Sequence, residues 1–434
     1  MAVTVAIGTH WGDEGKAKIV DFLAKRHDAV VRFQGGSNAG HTVIVDGVKY
    51  IFHQIPVGLI HPEKTCVIGN GVVFDPMEFL KELDEHIARG IDPQNRLWIS
   101  DRAAVVMPWH KRIEAIREDA AGEGAIGTTK RGIGPTYLDK ISREHGIRVA
   151  DFLYPESFRD RVRAVVSDKN DVFTKVYGAE PLDADQIADD YLKAAERLRP
   201  FIANTSALLH DMIRSGKRIL CEGAQATLLD IDHGTYPFVT SSNTTAGGAV
   251  TGAGIGPTFI TDVVGIVKAY TSRVGNGPFP TEFEAEFGNR MRELWDEYGA
   301  TTRRPRRCGW LDGVILRYSA AINGLTGIAI TALDRLDTLP ELKLCTEYRL
   351  DGEKIPGPPA RSDEFLRVEC RLETLPGWQS DTTNVRTFDE LPENAKRYVR
   401  RVEEVAGVPV VLIGVGPGRD QVIEVRKLPG RPTI

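Results

Sequence analysis

Val3-Thr4-Val5-Ala6-Ile7-Gly8-Thr9-His10-Trp11-Gly12-Asp13-Glu14-Gly15-Lys16 is the stretch that decides the fold. Val3 to Ile7 is a short continuous apolar run, the pattern of a parallel strand buried on both faces. Ile19-Val20-Asp21-Phe22-Leu23 reads as the start of a helix. A glycine-rich turn between strand and helix gathers backbone N–H groups at the positive end of the helix dipole, which makes an anion site. Lys16 adds a point charge suited to phosphate. The spacing departs from a Walker A loop, which has four residues between its glycines and a hydroxyl residue after the Lys. Here six residues separate Gly8 from Gly15, and Ala17 follows Lys16. Asp13 and Glu14 would repel phosphate, unless a carboxylate there holds a divalent cation or takes a proton from a substrate. A solvated glycine turn is the plain alternative for this loop taken alone.

Outward from this loop, strand-like and helix-like segments alternate. Residues 29–33, 65–68, 218–221, 263–268, 327–331 and 409–413 repeat the short apolar pattern. A helix is expected after Asp75-Pro76, where Asp caps and Pro suits the first turn, and it ends near Gly90. Residues 183–214 read as helix interrupted at Pro200, and 394–405 as helix before the last strand. The pattern predicts an α/β fold: a large, mostly parallel sheet with helices on both faces and long functional loops. Residues 122–135, 235–257 and 275–307 read as those loops. One domain over 1–434 is expected, with a helical insertion over roughly 100–215.

A net charge of −5 gives no general basic footprint for nucleic acid. No apolar run approaches the roughly 18 residues of a membrane span, and no signal-peptide pattern opens the chain. Cys66, Cys221, Cys308, Cys345 and Cys370 are widely spaced and form no C-x-x-C pair, which argues against structural zinc or a disulfide framework. The expectation is a cytoplasmic enzyme.

Further constellations sit where such sheets bind ligands, after strand C-termini. Gln34-Gly35-Gly36-Ser37-Asn38-Ala39-Gly40-His41-Thr42 follows the second strand. His41 there suits an acid or a donor to a phosphoryl oxygen, against the alternative of a His satisfied in a turn. Ile126 to Pro135 carries Thr128, Thr129, Lys130 and Arg131, a set suited to a monophosphate ester. Gln225, in Glu222-Gly223-Ala224-Gln225, can read a base edge. Thr240 to Gly248 is dense in hydroxyls and amides. Arg303, Arg304, Arg306 and Arg307 repel one another unless anions bind, and Arg recognises carboxylates in a bidentate way. A solvated basic loop is the alternative; a nucleic-acid patch is opposed by the lack of nearby aromatic stacking residues. Asp334 ends a strand, where its carboxylate can accept from the N1–H and amino group of guanine. Gly414 to Gly416 leaves bare backbone against which a purine can lie.

These motifs, in order and through nearly the whole chain, resemble the adenylosuccinate synthetases. They include GDEGK at Gly12 to Lys16, NAGHT at Asn38 to Thr42, IGNGVV at Ile68 to Val73, the Ile126 to Pro135 loop and EGAQ at Glu222 to Gln225. They continue with the long run Leu228 to Gly248, RVGNGPFPTE at Arg273 to Glu282 and GWLD at Gly309 to Asp312. The resemblance implies a P-loop-NTPase-like architecture. It also implies GTP- and Mg2+-dependent ligation of L-aspartate to IMP, giving adenylosuccinate, GDP and phosphate through a 6-phosphoryl-IMP intermediate, on the way to AMP. It places Asp13 as the base at purine N1 and as a magnesium ligand together with the Gly40 carbonyl. Lys16 and His41 fall on the transferring group, and Gln225 on the reacting base. Gly12, Glu14, Gly15, Thr42, Asp334, Gly414 and Gly416 join them around the nucleotide. Asn38, Ala39, Thr129, Arg131, Gln225, Thr240, Val274 and Arg304 fall on IMP, and Arg143 matches a residue that reaches IMP across a homodimer interface. Thr301, Thr302, Arg304 and Arg306 fall on aspartate, whose two carboxylates account for the Arg cluster. The implied partners are these small molecules and a second copy of the chain, with no nucleic acid and no membrane. The chain departs from the family pattern at His10, Ala17, Arg303 and Pro305, and at the guanine end at Ala332 and Gly414. These departures motivate a competing reading, a diverged paralogue with the same phosphoryl-activation chemistry and another nucleotide or amino donor.

Overall fold

The computed structural model describes residues 3–122, 127–299 and 304–428. Its main sheet contains β1 (Val3–Gly8), β2 (Ala29–Arg32), β3 (Thr65–Ile68), β4 (Leu97–Ser100), β5 (Ile202–Ala203), β6 (Ile219–Glu222), β7 (Ile260–Lys268), β8 (Gly327–Thr331), β9 (Val410–Gly414) and β10 (Val422–Glu424). The spatial order is β10-β9-β8-β7-β1-β6-β2-β3-β4-β5. Every neighbouring pair is parallel except β9 with β10. The seven apolar runs are all present as strands; β4, β5 and β10 are additions, short segments at the margins of the sheet.

The two-residue period of the strands sorts their side chains into two cores. Val3, Val5 and Ile7 join one and Ala6 the other; Ile219 and Cys221 oppose Leu220, and Ile328 and Ile330 oppose Ala329. Burying both faces is what makes these strands uniformly apolar. On one face pack α1 (Lys16–Ala24), α2 (Pro76–Ala88), α3 (Pro108–Ala120), α5 (Pro155–Lys175) and α6 (Ala184–Leu198), with α4 (Ile133–Ser142) against α3. The opposite face takes α7 (Thr205–Arg214), α8 (Ala246–Ala253), α10 (Gly313–Asn323) and the helix Glu393–Ala406, with α9 (Ala285–Leu294) contributing Met291. Asp75 caps α2 as its sequence predicts, accepting from Glu78 N at 3.3 Å. Helices α3 to α7 lie between β4 and β6, with β5 between α6 and α7, and Pro200 separates those two helices.

The three segments expected to be loops are partly helical: they contain the start of α4, all of α8 and all of α9. Helix α8 escapes propensity reasoning because Gly247, Gly248 and Gly252 are poor helix formers. Packing fixes it instead. A Cβ on Gly252 would stand 2.0 Å from the Phe33 carbonyl oxygen, so only Gly permits this approach of α8 to the end of β2. Gly252→Ala is expected to lower stability by about 2 kcal/mol through overpacking, read as a shifted denaturation midpoint with unchanged slope. A second sheet pairs Glu341–Leu350 antiparallel with Glu369–Pro376 and Glu353–Ile355, an element the sequence reading does not contain.

Parallel strands bring their C-terminal ends to one edge. Gly8, Arg32, Glu222, Lys268, Thr331 and Gly414 all end there, and their loops build one site. Among the described residues no helix is long and apolar enough to cross a membrane.

Candidate active site

The loop from Gly8 to Lys16 joins β1 to α1 as expected. Gly12, Asp13 and Gly15 all have positive φ, at 87°, 59° and 75°. This left-handed path turns the two acids opposite ways. Glu14 points inward and is buried. Its Oε1 accepts from Gly12 N at 2.9 Å and His10 N at 3.2 Å, and its Oε2 meets Lys16 Nζ at 2.6 Å. Glu14 is therefore an internal brace rather than a charge facing phosphate. Asp13 points outward, with its side chain 39% exposed. His10 is part of the same bracing: Nε2 lies 3.0 Å from the Asp312 carbonyl, and burial drives its pKa down to about 4, so it is neutral.

Gln34 clamps the second loop to the third. Its amide exchanges hydrogen bonds with the Ala224 backbone at 3.0 Å in both directions and donates to Gln225 Oε1 at 3.1 Å. Gln225, at φ 56°, thus keeps its own amide N–H2 for a ligand acceptor such as a purine 6-oxygen. His41 is held through Nδ1, 2.5 Å from Glu222 Oε1. Burial lowers the His41 pKa, Arg32 and Lys16 act in the same direction, and Glu222 opposes them. His53 Nδ1 meets the Ala39 carbonyl at 2.6 Å and steadies the turn before Gly40.

The Arg loop arrives from the other side. Arg306 Nε donates to Asp13 Oδ2 at 2.6 Å and its Nη1 to Glu297 Oε2 at 2.7 Å. Glu297 in turn takes Lys268 at 2.6 Å. Loss of water pushes the Asp13 carboxyl up, but Arg306, Lys268 and Lys16 outweigh it and leave it below its ordinary value. Arg304 donates to the Gly127 carbonyl at 2.9 Å and ties this loop to the one ending in Pro135. There Glu118 accepts from Gly127 N and Thr128 N at 2.7 and 2.8 Å, and Glu114 from Gly132 N at 2.7 Å.

These loops enclose a cavity of about 800 Å3. Gly12, Asp13, Gly15, Lys16, Asn38, Ala39, Gly40, His41, Thr42, Thr129, Gln225, Thr240, Val274, Arg304 and Arg306 all line it. Ser37 Oγ, Asn38 Oδ1, Thr42 Oγ1 and Thr128 Oγ1 are buried there or nearby without a hydrogen-bond partner, the mark of groups kept for a ligand. Arg131 is not part of the lining and is ion-paired with Glu78 at 2.5 Å. Arg143 ends α4 on the surface, at φ 69°. Thr301 and Thr302 lie outside the described residues.

Asp334, Gly414 and Gly416 form a separate end, outside the cavity lining. Asp334 Oδ1 is buried without a partner, and burial raises the carboxyl pKa. Lys18 of α1 donates to the Gly416 carbonyl and to the Gln421 carbonyl, so the helix leaving the phosphate loop also holds this end. A Cβ at Gly414 would meet Lys18 Nζ at 3.2 Å, so Lys18 occupies the space beside this departure from the family pattern.

The donors available beside the loop are the Asp13 carboxylate and the Gly40 carbonyl, both hard oxygens that fit Mg2+. Among the described residues the one preassembled trio of metal-type groups is Asp312, Cys345 and Cys370, whose sulfurs do not suit Mg2+. Few protein ligands is the usual Mg2+ arrangement, since substrate phosphates and water complete the shell. Sequence reasoning missed Gln34, Glu222, Glu114 and Glu118. Each braces a functional group from behind; the only signal was position, at a strand end or on the helix flanking a loop.

The comparisons with known proteins agree with this geometry. Residues 5–423 match the adenylosuccinate synthetase family. An adenylosuccinate synthetase from Heliobacterium modesticaldum is 54% identical over 424 residues, covering 98% of this chain and 99% of that one. Another, from Acetivibrio thermocellus, is 52% identical over 425 residues, covering 98% and 100%. The structure of fully ligated adenylosuccinate synthetase from Plasmodium falciparum superposes with a TM-score of 0.92 at 38% identity, covering 98% of this chain and 100% of that one. A cyanophage S-2L succinoaminodeoxyadenylate synthetase, at 19% identity and TM-score 0.60, shares the fold. With the phosphate loop, the amide clamp and the Arg loop gathered at one sheet edge, and the match running through both ends of the chain, the protein belongs to the adenylosuccinate synthetase family of ligases.

Proposed function

We propose that this cavity performs the family's reaction with the residue roles set out below. The reaction is the GTP-dependent ligation of L-aspartate to IMP, giving adenylosuccinate, GDP and phosphate. The observation that carries the assignment is the 2.6 Å contact between Arg306 and Asp13 inside the cavity. It sets a carboxylate reader against a proton acceptor, where an amino acid must meet a purine. Near-complete coverage on both sides of each comparison does not favour a diverged paralogue.

Asp13 takes the N1 proton of IMP while the 6-oxygen attacks the γ-phosphorus of GTP and GDP leaves. In the free protein Arg306 holds Asp13 charged and weakly basic. An aspartate carboxylate on Arg306 draws that cation away, and Asp13 strengthens as a base when all substrates are present. Lys16 and His41 hold the transferring phosphoryl group as charge spreads over its oxygens. Gln225 and Asn38 hold the base and Thr129, Thr240 and Val274 the rest of IMP, while Arg304 and Arg306, with Thr301 and Thr302, hold aspartate. The aspartate amine then attacks C6, and phosphate departs carrying the former 6-oxygen. Asp13 and the Gly40 carbonyl would hold Mg2+, which would supply charge neutralisation during phosphoryl transfer. Asp334 reads the guanine edge with its unpartnered oxygen, beside Gly414 and Gly416. The chain acts as one domain in the cytoplasm.

The second copy is supported by α4. Leu138 and Ile141, 57% and 75% exposed, flank Arg143 on the surface, and an exposed apolar pair beside an Arg suits an interface. Arg143→Leu is expected to weaken IMP binding. Mixing it with Asp13→Asn subunits should restore turnover, because the mutant pair rebuilds one complete site per mixed dimer. Turnover that stays absent after mixing, with dimers formed, would contradict a shared site.

The reading is tested by coupled phosphate-release and product assays with GTP or ATP, omitting IMP and aspartate in turn. Adenylosuccinate formed with GTP only when all partners are present supports it. Product with ATP in place of GTP, or none with aspartate, would put the paralogue reading first.

A further inference from the structure

The second sheet carries three side chains of metal-ligand type on three neighbouring strands. Leu311–Asp312 runs parallel to Glu341–Leu350, with Asp312 opposite Cys345. Along the other edge of Glu341–Leu350, antiparallel Glu369–Pro376 sets Leu372 opposite Cys345 and Cys370 opposite Tyr348. The register breaks between Cys345 and Glu347, and the extra residue turns Cys345 and Tyr348 to one face. Strand alternation puts Cys370 on the face of Leu372, which is the face of Cys345. The Asp312 carboxylate and the two sulfurs therefore converge, all within 4.8 Å of one another. The two cysteines are far apart in the chain and share no motif spacing, so only the sheet reveals the pair. None of the three residues lines the cavity described above.

We propose that Asp312, Cys345 and Cys370 form a binding site for a borderline-soft divalent cation of the Zn2+ class. Two thiolates and a carboxylate suit such an ion, whereas Mg2+ and Ca2+ take oxygen ligands. Metal–sulfur bonds of about 2.3 Å set two tetrahedral sulfurs roughly 3.8 Å apart, so small side-chain shifts close the site. The register disfavours a disulfide instead. Diagonal partners across two strands stand about 7–8 Å apart, beyond the roughly 4.4–6.8 Å between Cα atoms that a disulfide spans. Asp312 and Cys345 are both buried. Asp312 Oδ1 accepts from Val314 N and Ile315 N at 3.1 Å, and Oδ2 accepts from the Tyr348 hydroxyl. These bonds fix the carboxylate as outer partners fix a metal ligand. Three donors on a carboxylate with about four acceptor sites leave room for an ion. Among the described residues no Lys or Arg forms an ion pair with Asp312, and Arg317 acts on it only at longer range. A buried carboxylate without a counter-ion gains from a dication. On binding, both thiols give their protons to solvent as the sulfur–metal bonds form, with no change of oxidation state. Half-buried Cys370 marks the side from which the ion enters and where water completes its shell.

The test is a Co2+ titration of the full chain, stripped of metal by a chelator and kept reduced by a phosphine. The expected result is one Co2+ per chain with sulfur-to-cobalt charge-transfer absorption, competed away by Zn2+. Co2+ held by oxygens alone, as at Asp13 and the Gly40 carbonyl, is silent in that band. Cys370→Ser, at a half-buried position, should dim the band and weaken binding. Cys345→Ala should do the same, and its apolar replacement leaves no polar group unpaired. Asp312→Asn keeps a good helix cap and both thiols, so the band stays while affinity falls about 10-fold or more. Melting without metal separates a folding defect from a lost ligand. Zn2+ should raise the melting temperature of the parent and leave that of Cys370→Ser unchanged. A parent without the band would overturn the proposal, as would a band undiminished in both cysteine variants. Parent-like affinity in Asp312→Asn would overturn the three-ligand site. A reduced chain that takes up no metal, but loses two thiols to a disulfide when exposed to a small-molecule disulfide, would also overturn it, in favour of a redox pair.

Discussion

Asp13→Asn is expected to lower ligation by about 10²- to 10⁴-fold, with IMP affinity changed only a few-fold. Asn tolerates the left-handed backbone at this position, φ 59°, so the loop keeps its path. The loop is braced from Glu14, which holds Gly12, His10 and Lys16 regardless of residue 13. Without the Asp13 carboxylate, the Arg306 guanidinium stays on Glu297 at 2.7 Å. Asp13 is also partly exposed, so little stability is given up. What disappears is the carboxylate proposed to accept the N1 proton and to ligate Mg2+. Steady-state turnover together with IMP binding by calorimetry separates the two effects. Near-normal turnover would refute the base assignment.

Arg306→Leu is expected to raise the half-saturating aspartate concentration by about 10²-fold or more, since truncating one partner of a desolvated charge pair typically loses about 2–5 kcal/mol. IMP half-saturation should change far less. Burial alone would weaken the charge of Arg306, but Asp13 and Glu297 overrule it and hold the guanidinium firmly protonated. It is a permanent cation, 12% exposed, aimed into the cavity. Leu leaves Glu297 paired with Lys268 at 2.6 Å and leaves Asp13, 39% exposed, to water, so no buried carboxylate is stranded and the fold survives. Initial rates with aspartate varied at saturating IMP and GTP, and then IMP varied, give the comparison. Equal effects on both substrates would sink the carboxylate role.

Much of the fold was legible because the central strands are buried on both faces, which writes them as uninterrupted apolar runs such as Val3 to Ile7. Asp75-Pro76 was legible because capping is local chemistry. Helix α8 was not, since its glycines are selected by contact with Phe33, a tertiary constraint. Glu341–Leu350 was missed because its residues pair with Glu369–Pro376, across a long separation, with charged side chains at many positions. At the site, groups that line the cavity announced themselves: Asp13, Lys16, His41, Gln225 and Arg306 sit in glycine-rich or charge-dense loops. The groups behind them did not. Glu14 was visible but its direction was not, because only the left-handed turn at Gly12 to Gly15 shows that it braces rather than repels. Glu222 reads as one more polar residue after a strand until its two oxygens are seen on His41 and Val57. Arg143 and the exposed Leu138 and Ile141 are a surface feature whose proposed role involves a second chain.

The central claim is that the 6-oxygen of IMP attacks the γ-phosphorus before the aspartate amine displaces it. The most direct measurement uses IMP carrying 18O at position 6, with GTP, Mg2+ and aspartate, and mass analysis of the phosphate released. The account predicts one 18O atom per phosphate and none in GDP. Unlabelled phosphate, with the label released as water while adenylosuccinate still forms, would contradict it.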